Sequence, residues 1–307
     1  MKTRQFTHSF LLVLTAFIWG VAFVAQSTGG DAMGPYSFNC IRMLIGGVIL
    51  LPVTALLDRI KPGRRKPETG AQRRTLFLGG SCCGIILFCA STLQQVGIYM
   101  GTGAGKAGFL TACYILLVPI FGLLLRKKCG WNIWVGVLLT LCGLYLLCMN
   151  GSLRFRFSDL LVLLCAVCFA LHILVIDYFS PLVDGVRMSC IQFLTCGILG
   201  LVPAFFVDMG HSLEGIAAWA PAFTSLNAWI PLLYAGVLSC GVAYTLQIIG
   251  QEGVNPAVAS LLMSLESVFS VIAGWMILGQ KLNSRELAGC VLIFAAVVLA
   301  QIPLKKQ

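Results

Sequence analysis

Thr92-Leu93-Gln94, with Gly97 behind it, returns later in the chain as Thr245-Leu246-Gln247, with Gly250 behind it. Cys40-Ile41-Arg42 returns as Cys190-Ile191-Gln192, and Gly136 is answered by Gly289. Each match falls in an apolar run at the same ordinal place in its half. A membrane chain built from two related halves is a common plan for secondary transporters. With an odd number of spans in each half, the second copy must insert upside down, so the span count decides the fold.

Of 307 residues, 59% are hydrophobic and only 10% charged, with a mean hydropathy of +0.93. Soluble domains carry about 25% charged residues. The charges are confined to short stretches, which leaves apolar runs of the roughly 20 residues that cross about 30 Å of hydrocarbon. Ten such runs occur, at roughly 9–28, 36–57, 75–99, 107–125, 131–150, 159–179, 188–207, 228–250, 257–278 and 287–303. They lack the period-2 alternation of a membrane β-barrel. The expected fold is an all-α integral membrane protein of ten transmembrane helices, arranged as two inverted five-helix repeats. Residues 1–150 hold helices 1–5 and residues 151–307 hold helices 6–10. Residues 1–28 carry Lys2 and Arg4 ahead of an apolar run, as a signal peptide does. That run is longer than a signal core of about 7–15 residues, so it is read as span one.

A net charge of +10 raises the question of nucleic acid, but its distribution answers it. With the N-terminus inside and ten alternating spans, 15 basic residues lie inside and 5 outside, leaving Arg42 alone within a span. The positive-inside rule therefore selects N-in and C-in. The basic charge orients the chain against a lipid bilayer, and nucleic acid is not an expected partner. The 14 cysteines are scattered through the spans as small apolar residues, with no metal or cofactor motif. The segment 208–227 holds Leu213, Ile216 and Trp219, a composition suited to a short helix at the outer membrane surface.

Polar and ionisable residues inside hydrocarbon cost about 2.5–3.5 kcal/mol each on insertion scales when charged, so they mark candidate function. Arg42 lies in span two, His172 in span six and Glu266 in span nine. The amides Asn39, Gln94, Gln95, Gln192 and Gln247 join them. Thr111, Tyr114, Ser264 and Ser267 come from spans four and nine. Trp19 lies near mid-depth in span one, away from the interfacial belt where Trp is favoured. Trp19, Asn39, Arg42, Gln94, Gln95, Tyr114, His172, Gln192, Gln247 and Glu266 are the candidate substrate-binding residues, lining one cavity between the halves. Hydrogen bonding between helices is the competing reading for each of them. Gly105-Lys106 is followed by Ala107, so the hydroxyl of a phosphate-binding loop is absent.

Several short motifs carry a resemblance in their order and spacing. Trp19-Gly20 precedes Arg42, and Ala107-Gly108-Phe109-Leu110-Thr111 leads to Val118-Pro119-Ile120-Phe121. Ser158-Asp159-Leu160-Leu161 opens the second half, and Leu265-Glu266-Ser267-Val268-Phe269 precedes Leu278-Gly279-Gln280 and Gly289. Together they resemble the drug/metabolite transporter superfamily, in its EamA-type branch. The resemblance implies two inverted five-helix repeats with both termini cytoplasmic, and a cavity lined by the first four helices of each. The fifth helices would pack outside it or support a homodimer. Two departures stand out. The usual Leu-Glu-Pro reads Leu265-Glu266-Ser267, which removes a proline kink from span nine, and the usual Gly-Glu reads Gly279-Gln280.

The expected function is secondary transport of a small metabolite, amino-acid-like or another small organic solute, across the bacterial inner membrane. Efflux is the expected direction and alternating access the mechanism, with no catalytic residue. Arg42 would attract a carboxylate, and Glu266 or His172 would exchange a proton if transport is proton-coupled. The alternatives are a lipid-linked-sugar flippase of related fold, with a groove open to lipid, and an integral-membrane lipid enzyme. The enzyme would need clustered acids or His/Asp sets near the interface.

Overall fold

A computed structural model describes residues 2–60, 66–102, 104–127, 129–148, 155–278 and 283–301. The Gly279-Gln280 pair and residues 61–65 of the basic loop lie outside them. The helices are α1 (Lys2–Met33), α2 (Pro35–Ile60), α3 (Gly70–Tyr99), α4 (Ala104–Ala112), α5 (Tyr114–Leu124), α6 (Trp131–Cys148) and α7 (Phe157–Phe179). They continue with α8 (Gly185–Pro203), α9 (Leu213–Trp219), α10 (Leu226–Leu233), α11 (Thr245–Gln251), α12 (Pro256–Met263), α13 (Leu265–Leu278) and α14 (Ser284–Gln301). A π-helical turn, Ala204–Asp208, extends α8, and a longer π stretch, Tyr234–Tyr244, joins α10 to α11. No strand occurs among the described residues.

Seven stretches among the described residues are long and apolar enough to cross a bilayer: Pro35–Ile60, Gly70–Tyr99, Lys106–Leu124, Phe157–Phe179, Gly185–Asp208, Ala228–Gln251 and Pro256–Ala273. They fall on seven of the ten apolar runs. Phe6–Ala22 and Trp131–Leu147 are apolar but shorter, and α14 covers the last run. Large apolar side chains such as Phe77, Leu124, Leu138, Val291 and Phe294 stand exposed around the bundle. In water such a surface would drive association; in lipid it is solvated. The segment after α8 forms the short helix α9, N-capped by Ser212, whose hydroxyl accepts from the Gly215 N–H at 2.9 Å. Trp219 of α9 donates its indole N–H to Met33 O at 3.0 Å and so anchors this helix over the α1–α2 turn. Gly34 makes that turn possible with φ of +89°, a conformation costly for a side-chain-bearing residue.

The packing comes in matched sets. α3 lies on α7 and α8, and the stretch from Tyr234 to Gln251 lies correspondingly on α1 and α2. α4 and α5 pack on α7, as α12 and α13 pack on α1. α2 packs on α8, and α6 packs on α14. At the α2–α8 contact the correspondence reaches single atoms. Cys40 Sγ lies 3.3 Å from Gly197 O, and Cys190 Sγ lies 3.4 Å from Gly47 O. A Cβ on Gly47 would meet Leu194 at 2.9 Å, and one on Gly197 would meet Leu44 at 2.5 Å. Each of these residues is its counterpart shifted by 150 positions (40 to 190, 44 to 194, 47 to 197). Small residues at this crossing let two backbones approach closely, as packing in lipid favours.

Two spans are bent at the same ordinal place. The fourth run breaks at Cys113, between α4 and α5, and the ninth breaks at Ser264, between α12 and α13. Span nine therefore bends even though Ser267 stands where the resembled pattern has proline. Ser260 Oγ donates to Ala257 O at 2.9 Å and Ser264 Oγ donates to Leu261 O at 2.7 Å. Serine hydroxyls that bond back to the preceding turn compete with the helical ladder and bend it.

Candidate functional site

The bends and the π stretch bring polar side chains from both halves to one central cavity of about 50 Å³. That is room for a few water molecules. α1 contributes Trp19 and Gln26, α2 Arg42, α3 Gln94, α4 Thr111 and α5 Tyr114. From the second half come Phe169 and Ile173 of α7, Ser239 and Tyr244 of the π stretch, Gln247 of α11, Met263 of α12 and Glu266 of α13. α6 and α14 contribute no lining residue among those described.

Arg42 is 3% exposed. Its Nε and Nη2 donate to Asn39 Oδ1 at 3.1 and 2.8 Å, one helical turn earlier on α2. An arginine can only donate, so the Asn39 oxygen must face it. The Asn39 amide nitrogen then points away, donating to Ser91 Oγ at 3.0 Å and Thr92 Oγ1 at 3.2 Å on α3. Phe38 packs under the guanidinium at 5.7 Å from its ring centroid. Half of the guanidinium fork is thereby fixed. Glu266, 5% exposed, lines the same cavity. Among the described residues no ion pair joins Arg42 to Glu266 or to any other acid. The buried Arg42 guanidinium and the buried Glu266 carboxyl share the space without pairing to each other.

Other lining groups are held in place from behind. Gln94 Nε2 donates to Thr111 Oγ1 at 3.0 Å. Trp19 Nε1 donates to Ser239 O at 3.4 Å, and Thr15 Oγ1 donates to Ala243 O at 3.1 Å. Both acceptors belong to the π stretch, whose widened turns interrupt the i to i−4 ladder; π segments recur at functional sites for this reason. Tyr244 is ringed edge-on by Trp19 at 4.6 Å, Phe193 at 5.6 Å and His172 at 6.1 Å between centroids. Gln26 Oε1, Tyr114 OH and Gln247 Oε1 are buried and have no hydrogen-bond partner among the described residues.

Of the ten residues singled out in the sequence, Trp19, Arg42, Gln94, Tyr114, Gln247 and Glu266 line the cavity. The other four stand one layer back. Asn39 holds Arg42, and Gln95 Nε2 donates to Gln26 O at 3.2 Å. His172 Nε2 and Gln192 Oε1 meet at 2.9 Å behind Tyr244. The lining residues not singled out as substrate-binding are Gln26, Thr111, Phe169, Ile173, Ser239, Tyr244 and Met263. Gln26 was legible as an amide seven positions after Trp19 on the same helical face, and Tyr244 as the neighbour of the repeated Thr245-Leu246-Gln247. Phe169, Ile173 and Met263 carry no signal that separates a cavity wall from a helix contact.

The sequence profile of the EamA-like transporter family matches the chain twice, over residues 7–149 and 156–301. An uncharacterized transporter of Archaeoglobus fulgidus is 28% identical over 95% of this chain and 84% of its own length. The uncharacterized transporter YwfM of Bacillus subtilis is 25% identical over 98% of this chain and 95% of its own. A solved structure, described only as the crystal structure of a protein, superposes with a TM-score of 0.75 at 17% identity, covering 96% of both chains. With its apolar helices this makes the chain a multi-pass membrane protein, resident in the inner membrane in bacteria, and it belongs to the EamA-like transporter family.

Proposed function

We propose that the protein is a secondary transporter that exports a small amino-acid-like metabolite by alternating access through the cavity between its halves. The observation that carries this reading is the pairing of chemistries in one enclosed space. Arg42 presents a partly fixed, buried cation, and Glu266 a buried carboxylate that no basic residue neutralises among those described. A solute bearing both a carboxylate and an ammonium group would complement the two charges. The amides Gln94 and Gln247 and the rings of Trp19, Tyr114, Phe169 and Tyr244 would receive its remaining polar and apolar parts. A cavity of about 50 Å³ admits such a solute only when the helices part, as alternating access requires.

Two inverted five-helix repeats, 1–150 and 151–307, with both termini in the cytoplasm, supply the rocking elements. The matched helix packing, the reciprocal contacts of α2 and α8 and the 15-to-5 charge asymmetry support this arrangement. The α6–α14 pair, away from the cavity, is the surface left for a homodimer contact. Proton coupling, where present, falls to Glu266, since His172 is turned to Gln192 behind the wall.

The test is a thermal-shift screen of purified protein against amino acids, sugars and nucleosides, because a ligand binding only the folded state raises its stability by mass action. Hits are then followed by counterflow into proteoliposomes. The expected hits are zwitterions that also exchange in counterflow. Binding by sugars or nucleosides but no zwitterion would overturn the substrate class, and binding without exchange would overturn transport.

A further inference from the structure

A second cleft, of about 710 Å³, lies beyond the cavity at the end of the bundle roofed by α9. It is lined by Met33, Tyr36, Val96, Tyr99, Asp208 and Trp219, among others. Two helices run from the cavity into this cleft. On α1, Trp19 and Gln26 line the cavity and Met33 lines the cleft, spaced by sevens on one helical face. On α3, Gln94 lines the cavity, and Val96 and Tyr99 line the cleft. Between the two spaces, on both helices, sits one contact: Gln95 Nε2 donating to the backbone oxygen of Gln26 at 3.2 Å. Gln26 is 7% exposed and Gln95 1%, and the side-chain oxygen of each is buried without a partner among the described residues.

We infer that the Gln26–Gln95 bridge is the outer gate of the pathway, separating the substrate cavity from a vestibule roofed by α9. The inference rests on the transport reading and adds the route and its closing contact. Among the described residues the bridge is one hydrogen bond from α3 to a main-chain acceptor on α1, and parting the helices there breaks it. The two unpartnered amide oxygens then face the opened passage. They are acceptors, and so they suit the ammonium or hydroxyl donors of a departing solute. The vestibule rim, with Tyr36, Tyr99 and Trp219, matches the amphipathic lining found at membrane–water interfaces.

Ser239→Cys places a thiol in the cavity wall, and a membrane-impermeant cationic methanethiosulfonate reports access to it. Labelling is read at position 239 by peptide mass spectrometry, so the native cysteines do not interfere. It is measured in spheroplasts and in inverted membrane vesicles. Adding Gln95→Leu, which keeps the volume and removes the donor, should raise the rate in spheroplasts on the order of tenfold, the shift expected when a closed state loses one buried hydrogen bond. The rate in inverted vesicles should not rise. Gln95→Met, which keeps the length of the side chain and has no donor, serves as the second variant if Gln95→Leu fails to fold. An unchanged spheroplast rate, or equal acceleration from both faces, would overturn the gate. Failure of every variant and the parent to move any solute in proteoliposomes would instead count against transport, leaving the labelling result to judge the gate.

Discussion

Asn39 Oδ1 accepts two hydrogen bonds from Arg42 while its amide nitrogen is held by Ser91 and Thr92 on α3. The guanidinium is therefore held by α3 through Asn39 of α2, on a residue that lines the cavity. Arg42→Ala is predicted to reduce counterflow to the liposome background while the protein still elutes as a folded species. Arg42→Lys should rescue little, because a point charge cannot reproduce the planar fork. Asn39→Ala should cost about 1–3 kcal/mol of stability, the range for leaving a buried donor unpaired, and should also weaken binding of the zwitterion identified in the thermal-shift screen. Parental counterflow by Arg42→Ala would remove Arg42 from the site. A stability loss in Asn39→Ala with unchanged affinity would make Asn39 a packing residue only. At this scale the sequence was readable up to a definite limit. Each polar side chain in a span announces that it needs a partner, and Arg42, Gln94, Gln247 and Glu266 do face the cavity. Asn39, Gln95, His172 and Gln192 meet the same need through protein partners one layer back. Lipid penalises the two placements alike, so residue type alone cannot separate them.

Asp58 and Asp208 close the two ends of the α2–α8 pair in corresponding ways. Asp58, near the end of α2, takes Arg187 Nη2 at 2.5 Å at the start of α8. Asp208, at the end of the π turn after α8, accepts the Ser37 N–H at 2.6 Å at the start of α2. The partners are again shifted by 150 positions (37 to 187, 58 to 208), but one latch is an ion pair and the other a carboxylate on a helix N-terminus. The two ends are about 21 residues of helix apart, roughly 30 Å, so the latches should act independently. Asp58→Asn and Asp208→Asn are each predicted to cost about 1–2 kcal/mol, and the double variant their sum, measured by denaturant unfolding in detergent. A double loss well below the sum would show that the latches are coupled. Gly47→Leu should be worse than either, since the crossing has no room for a Cβ beside Leu194. The elements themselves were legible from apolar run length, because hydrocarbon thickness fixes how long a span must be. The bend in span nine was not. Proline is the visible cause of a kink, whereas Ser260 and Ser264 bend the helix by bonding back to Ala257 and Leu261, and most serines in a helix do not.

Across the whole molecule the reciprocal contacts define a direction. The end of α2 meets the start of α8, and the start of α2 meets the end of the turn that follows α8. Two antiparallel helices related in this way are exchanged by an axis perpendicular to both, and such an axis lies in the plane of the membrane when the helices cross it. An exchange of that kind supports the proposed inversion of one half against the other. Charge chooses which face is which. Asp58, Lys66 and Arg187 cluster at one end, where Lys127 pairs with Asp177. At the other end Lys106 pairs with the buried Asp159, and Asp208, Trp219 and Trp229 gather under and around α9. Basic residues near short loops hold their end of a span in the cytoplasm, and Trp settles at the interface. A fluorescent protein fused after Gln307 should therefore be bright, and alkaline phosphatase fused there inactive. Phosphatase inserted between Gly210 and His211 should be active, because the proposed orientation puts the loop before α9 on the outer face. The reverse pattern would invert the molecule, placing the Gln26–Gln95 contact and its vestibule on the cytoplasmic side. The transporter would then open toward the cytoplasm by the route assigned to release, and the direction of transport would have to be reassigned with it.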